Sequence, residues 1–291
     1  MNEFIAGLIK DGPVLTDGSW GSQMMKRGLK AGVAPDSWNL TFPDKVEEIA
    51  RQYVEAGSRV ILTNTFGANR FVLGKFGMAD KVSEINRKGV EISKKAAGDR
   101  AFVFASIGPS GKLLITKDVT EGGLIEAFSE QAQAIADAGA DAIVVETMMD
   151  LNEARIAAEA AKKTGLPVIA CLVFDAGKNK DRTMIGNTPE QAVETLTGIG
   201  VDVIGANCGQ GIEGFIPICK RMRSATSLPL WMKPNAGSPE VIGGQTVYAT
   251  SAQDFARHIP ALIEAGANFI GGCCGTDMEF IIEAGKALKG I

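Results

Sequence analysis

This sequence predicts a (β/α)8 TIM barrel, folded as a single domain over residues 1–291. Three observations predict it. Short apolar or β-branched runs alternate with longer amphipathic stretches along the whole chain, and eight such runs can be counted. Four junctions share one form, in which a glycine closes a helix in the left-handed conformation and a buried strand follows at once. They are Ala56-Gly57-Ser58-Arg59-Val60-Ile61, Ala138-Gly139-Ala140-Asp141-Ala142-Ile143, Ile199-Gly200-Val201-Asp202-Val203-Ile204 and Ala265-Gly266-Ala267-Asn268-Phe269-Ile270. A doubly wound open sheet is the competing α/β solution, but it more often uses fewer strands.

Taken in order, strands are expected near Val14–Thr16, Arg59–Thr63, Phe102–Ser106, Ala142–Glu146, Pro167–Phe174, Asp202–Asn207, Leu228–Lys233 and Asn268–Gly272. Proline marks two of the starts, at Leu166-Pro167 and Leu228-Pro229. Helical periodicity fills the gaps over Pro43–Ala56, Lys81–Ala97, Leu124–Ala138, Leu151–Thr164, Pro189–Gly198, Ile212–Ser224 and Ala252–Ala265. The polar stretch Phe174–Pro189 reads as a long loop after the fifth strand, and nothing in the chain reads as an interdomain linker.

The composition narrows the function. A net charge of -4 with no basic stripe argues against nucleic acid as a partner. No apolar run reaches the length of a membrane span, and the first residues lack the basic start and apolar core of a signal peptide. Five cysteines, an odd number and none in the first half, argue against a disulfide framework and for a reducing cytoplasm. A single histidine nearly excludes a histidine-based hydrolase.

Barrel enzymes build their sites at the C-terminal ends of the strands. Those positions here are Asp17, Asn64-Thr65, Ser106-Ile107-Gly108, Glu146, Asn207-Cys208, Pro234-Asn235 and Cys273-Cys274. Three thiols, two carboxylates and several amides are thus expected at one mouth. Cys208, Cys273 and Cys274, on glycine-flanked turns, suit a zinc site with three protein ligands and one position left for substrate. Such a centre favours attack by a bound substrate thiolate on an electrophilic carbon over activation of water, which usually relies on neutral histidines. Asp17 and Glu146 suit an ammonium group, and the loop Ser106–Gly111 offers backbone N–H groups to a carboxylate. Together they describe an amino thiol such as homocysteine or cysteine.

With these motifs in place, the chain resembles the homocysteine S-methyltransferase family, most closely the N-terminal homocysteine-binding module of cobalamin-dependent methionine synthase. The resemblance rests on Asp17-Gly18, Thr63–Arg70, Ser106-Ile107-Gly108-Pro109, Glu146-Thr147, Gly205-Ala206-Asn207-Cys208-Gly209, Lys233-Pro234-Asn235-Ala236-Gly237 and Gly272-Cys273-Cys274-Gly275-Thr276. It implies one Zn2+ per chain, held by Cys208, Cys273 and Cys274, with homocysteine sulfur in the fourth position. It also implies the homocysteine amine near Asp17 and Glu146, contacts from Ser106 and Asn207, and Asn235 as a weak ligand when substrate is absent. No tightly bound organic cofactor is expected. The first loop departs from the family pattern, reading Asp17-Gly18-Ser19-Trp20-Gly21-Ser22 where relatives often carry Ala-Met and Thr, and Trp20 is expected to narrow or reshape the pocket mouth. Because the sequence ends at Ile291, a methylated corrinoid donor is expected to arrive on a separate protein. S-methylmethionine or betaine is the alternative donor, and a zinc or thiol-metabolite carrier without chemistry is the alternative function. A redox protein cycling Cys273-Cys274 is a third reading.

Several residues have plainer explanations. Cys171 and Cys219 sit in apolar surroundings and read as core. His258 lies on a helical stretch and is given no catalytic role. Gly209-Gln210-Gly211-Ile212-Glu213-Gly214 fits a dinucleotide fingerprint, but the next strand ends in Lys233-Pro234-Asn235 without the acidic residue for a ribose. Ser110-Gly111-Lys112-Leu113 lacks the first glycine and the final hydroxyl of a phosphate loop.

Overall fold

A computed structural model describes residues 2–242 and 245–290. Eight parallel strands form the barrel: β1 (Val14–Leu15), β2 (Val60–Ile61), β3 (Phe102–Ile107), β4 (Ala142–Met148), β5 (Val168–Leu172), β6 (Val203–Gly211), β7 (Leu230–Asn235) and, after the hairpin β8 (Pro239–Ile242) and β9 (Gln245–Tyr248), β10 (Phe269–Ile270). Their order around the sheet is β1-β10-β7-β6-β5-β4-β3-β2. A parallel bridge between Thr16 and Val60, with Arg59 N donating to Leu15 O at 2.9 Å, closes the ring. The barrel expectation therefore holds, strand by strand.

The glycine-closed junctions behave as the sequence predicts. Gly57, Gly139, Gly200 and Gly266 have φ of 100°, 83°, 76° and 108°, a region in which a Cβ is strained. Elsewhere the structure adds detail. The helical stretch expected over Ala252–Ala265 is two helices, Ala252–Arg257 and Ile259–Glu264, because Pro260 starts the second as a first-turn proline. The antiparallel hairpin β8–β9 has no counterpart among the expected strands. A first helix, Glu3–Ile9, was also not expected.

Two apolar layers position the site. Inside the barrel, Val14, Val60, Leu62, Phe104, Val144, Ile169, Cys171, Val203, Trp231 and Phe269 pack together. Ile5 and Leu8 of the first helix complete that cluster, so this helix seals one end of the barrel. Phe104 stacks on Trp231 at 6.1 Å and Trp231 tilts against Phe269 at 5.3 Å, forming an aromatic plug beneath the mouth. Between strands and helices lies the larger outer core, which includes Cys219. Gly205 lets β6 approach β7 closely: a Cβ there would lie 2.0 Å from the Trp231 carbonyl oxygen.

Candidate thiol-metal site

The strand ends bring the three cysteines together. The sulfurs of Cys208, Cys273 and Cys274 all lie within 4.8 Å of one another, and no other group of three metal-ligating side chains meets that test among the described residues. Cys208 ends the regular part of β6 in the left-handed region, at φ 63°, and Gly209 follows at φ 80°. This turn carries the sulfur to 3.8 Å from that of Cys274. Cys273 is pinned by its backbone N–H donating to Pro234 O at 2.7 Å, and Ala236 N donates to Cys274 O at 2.9 Å. The end of β7 therefore fixes the paired cysteines.

Three thiols this close cannot all ionise without a cation among them. Cys273 is held well above the ordinary thiol range by its two thiol neighbours and by burial. Cys274 is drawn down, because it accepts hydrogen bonds from the other two. The donor set fits zinc. Two sulfurs, each ~2.3 Å from a tetrahedral zinc, stand about 3.8 Å apart, which is the Cys208–Cys274 separation. Asn235 adds a second observation, since its Oδ1 is buried and accepts no hydrogen bond.

Behind the thiols lies a carboxylate network. Glu146, at the end of β4, is 7% exposed. Ser106 Oγ donates to its Oε1 at 2.5 Å and Asn207 Nδ2 donates to its Oε2 at 3.1 Å. Burial pushes the Glu146 carboxyl up, opposed chiefly by the positive charge of Lys233. Asn207 is the organising residue. Its Nδ2 also donates to Thr147 Oγ1 at 2.7 Å and lies 3.8 Å from Cys273 Sγ, while its Oδ1 accepts from Thr147 N at 2.7 Å. These bonds hold Thr147 at φ 60°, a conformation strained for a β-branched residue.

Asp17 stands differently from the expectation. Its Oδ2 accepts from Trp20 Nε1 and from Leu62 N, each at 2.7 Å, and its Oδ1 pairs with the ammonium of Lys233. The Asp17 and Lys233 side chains are 0% and 2% exposed. Lys233 was quoted as part of a motif but not as a site residue. Its signal was present: a lysine in Leu230-Trp231-Met232-Lys233-Pro234-Asn235, a strand otherwise reading as core. Its ammonium lies 5.9 Å above the Trp231 ring, between the aromatic plug and the mouth.

In the loop after β3, two of the N–H groups the sequence suggested for a carboxylate are already bonded within the chain. Gly108 N donates to Phe66 O at 2.8 Å, Ser110 N to Glu153 Oε1 at 2.8 Å and Lys112 N to Ser110 Oγ at 3.2 Å. Tyr248, on the hairpin strand β9, is not among the expected site residues. Its ring covers Gly275, where a Cβ would come within 2.4 Å, and its phenol neighbours Cys274. The glycine-rich stretch after Cys208 is structural, since Gln210 Nε2 donates to Phe174 O at 2.7 Å and Lys180 O at 2.9 Å, tying down the loop after β5. Cys171 and Cys219 are fully buried in the core, and His258 pairs with Glu213 at 3.2 Å away from the thiols. No described helix is long and apolar enough to cross a membrane.

Comparison with known proteins agrees with this geometry. The family model described as homocysteine S-methyltransferase matches residues 14–288. Methionine synthases of Mycobacterium tuberculosis (strain ATCC 25618 / H37Rv) and Mycobacterium leprae (strain TN) are each 29% identical to the chain, over 94% of it and 24% of their own length. The chain thus spans about a quarter of those relatives. In solved structures, the metallated form of the homocysteine methyltransferase MmuM from Escherichia coli superposes with a TM-score of 0.81 at 23% identity, covering 99% of both chains. That likeness is one of fold.

Proposed function

The chain belongs to the homocysteine S-methyltransferase family, and from that premise we propose that it moves a methyl group onto the thiol of homocysteine to give methionine. The observation that carries the reading is the convergence of three cysteine sulfurs within 4.8 Å beside a buried carboxylate. Cys208, Cys273 and Cys274 would hold one zinc ion, which when bound supplies the positive charge that strips the acceptor thiol of its proton at neutral pH. Asn235, with its unpartnered oxygen, is the residue placed to complete the ligand set without substrate. Glu146 receives the acceptor's ammonium in a charge-assisted hydrogen bond. Ser106 and Asn207 aim it, and Asn207 ties its position to that of Cys273. Because the thiol proton leaves on binding, no residue of the chain has to act as a general base during transfer.

A methylated corrinoid carried by a separate protein is the donor we favour. The similarity to methionine synthases supports this choice. S-methylmethionine and betaine are the alternatives. A cytoplasmic setting fits a site that needs reduced thiols. The test is methionine formation by the zinc-loaded protein from homocysteine, with methylcobalamin, S-methylmethionine and betaine supplied in parallel. Methionine from methylcobalamin supports the corrinoid reading, methionine from a small donor alone replaces it, and none from any donor refutes the proposed transfer.

A further inference from the structure

The two carboxylates expected to grip an acceptor ammonium together are not equivalent. Asp17 has no exposed surface, and all its listeners come from within the chain: Trp20 Nε1, Leu62 N and the Lys233 ammonium. Its charge is cancelled at contact distance by a cation that is itself buried. A substrate ammonium reaching Asp17 would have to displace Lys233 into a floor made of Trp231 and its aromatic neighbours. That would strand a second buried charge. Glu146 has no such occupant. Its partners are a hydroxyl and an amide, and among the described residues no lysine or arginine nitrogen lies within 4.0 Å of it.

We propose that the acceptor's amino group is read by Glu146 alone, with Lys233 and Trp20 withdrawing Asp17, so that the site also takes thiols that keep the homocysteine carboxylate and chain length but lack the amine. The inference rests on the reading of this site as one that binds homocysteine through its sulfur. The matching probe is 4-mercaptobutyrate, which differs from homocysteine only by the missing amino group. One hydrogen bond to a charged group corresponds to about 10- to 150-fold in affinity. Two carboxylates gripping the same ammonium would multiply that to about 150-fold or more.

The experiment is calorimetric titration of the zinc-loaded protein with L-homocysteine and with 4-mercaptobutyrate, each Kd corrected for the ionisation of its own thiol. Homocysteine is expected to bind tighter by about 10- to 150-fold. In Glu146→Gln, which is similar in size and keeps an acceptor for Ser106, the two Kd values are expected to converge to within about threefold. A wild-type ratio above about 150 overturns the inference, as does a preference that survives Glu146→Gln. Both outcomes leave the homocysteine reading intact, because homocysteine still binds. Binding of neither thiol to the wild-type protein overturns both together. The wild-type ratio alone decides the matter if the variant does not fold.

Discussion

Replacing Lys233 by methionine removes the ammonium beneath the mouth and leaves the Asp17 carboxylate buried with no countercharge. Both side chains are at most 2% exposed, so water does not replace the lost partner. Breaking a buried pair from one side costs about 3–5 kcal/mol. Asp17→Asn strands Lys233 in the same way, although the asparagine oxygen still accepts from Trp20 and Leu62. The double variant removes both members of the pair, and what remains is Glu146 without the nearby Lys233 charge. Asparagine keeps those two hydrogen bonds, methionine fills the space over Trp231, and the net cost falls to about 0–1 kcal/mol. The two single costs together should therefore exceed the double cost by about 5 kcal/mol or more. Urea unfolding of metal-free protein at pH 7, followed by far-ultraviolet circular dichroism, measures all four corners of the cycle. A Lys233→Met cost below about 1 kcal/mol, or simple additivity in the double variant, would refute the argument that this pair is buried and mutually dependent.

Three further predictions follow from the same structure. Cys273→Ser should lose zinc and methyl transfer together, and metal analysis showing full zinc with full turnover would contradict the ligand assignment. Gly205→Ala drives a methyl into the Trp231 carbonyl, so unfolding experiments should show a loss of about 3 kcal/mol or more, and a loss under 1 kcal/mol would mean β6 and β7 can separate freely. Asp36 is buried while accepting from Gly67 N at 2.9 Å, and desolvation raises its carboxyl from 3.8 to about 6. The folded state therefore holds that proton more tightly than the unfolded chain, and this stabilisation, present below pH 3.8, is lost as the pH rises through about 6. Asp36→Asn should gain about 3 kcal/mol relative to wild type across that window, and parallel stability curves for the two proteins would contradict the shift.

The barrel was legible because its signals are local. Each glycine that closes a helix at positive φ needs no knowledge of the rest of the chain, and neither does an apolar run bounded by polar residues. The cysteines were legible for a related reason, since residues at strand ends of a parallel barrel converge whatever the loops do. What escaped was set by contacts across the barrel. Asp17 lies at a strand end like Glu146, and its contacts with Lys233, Trp20 and Leu62 distinguish the two. The backbone N–H groups after β3 look free in sequence, yet Glu153 and Phe66, distant along the chain, take two of them. Tyr248 reaches the thiols from a hairpin whose sequence signal, Val241-Ile242 and Thr246-Val247-Tyr248 around Gly243-Gly244, was present but says nothing of which barrel residues it faces. The helix Glu3–Ile9 was overlooked because it is short and amphipathic only in relation to the barrel end it seals.

The central claim is that three cysteines hold a zinc whose remaining position accepts the substrate sulfur. Zinc-edge X-ray absorption of the zinc-loaded protein, before and after adding homocysteine, measures this directly. The account predicts three sulfur scatterers with one light atom at first, and four sulfurs once homocysteine is bound. A shell that does not change on adding homocysteine, or one with fewer than three sulfurs at the start, would contradict it.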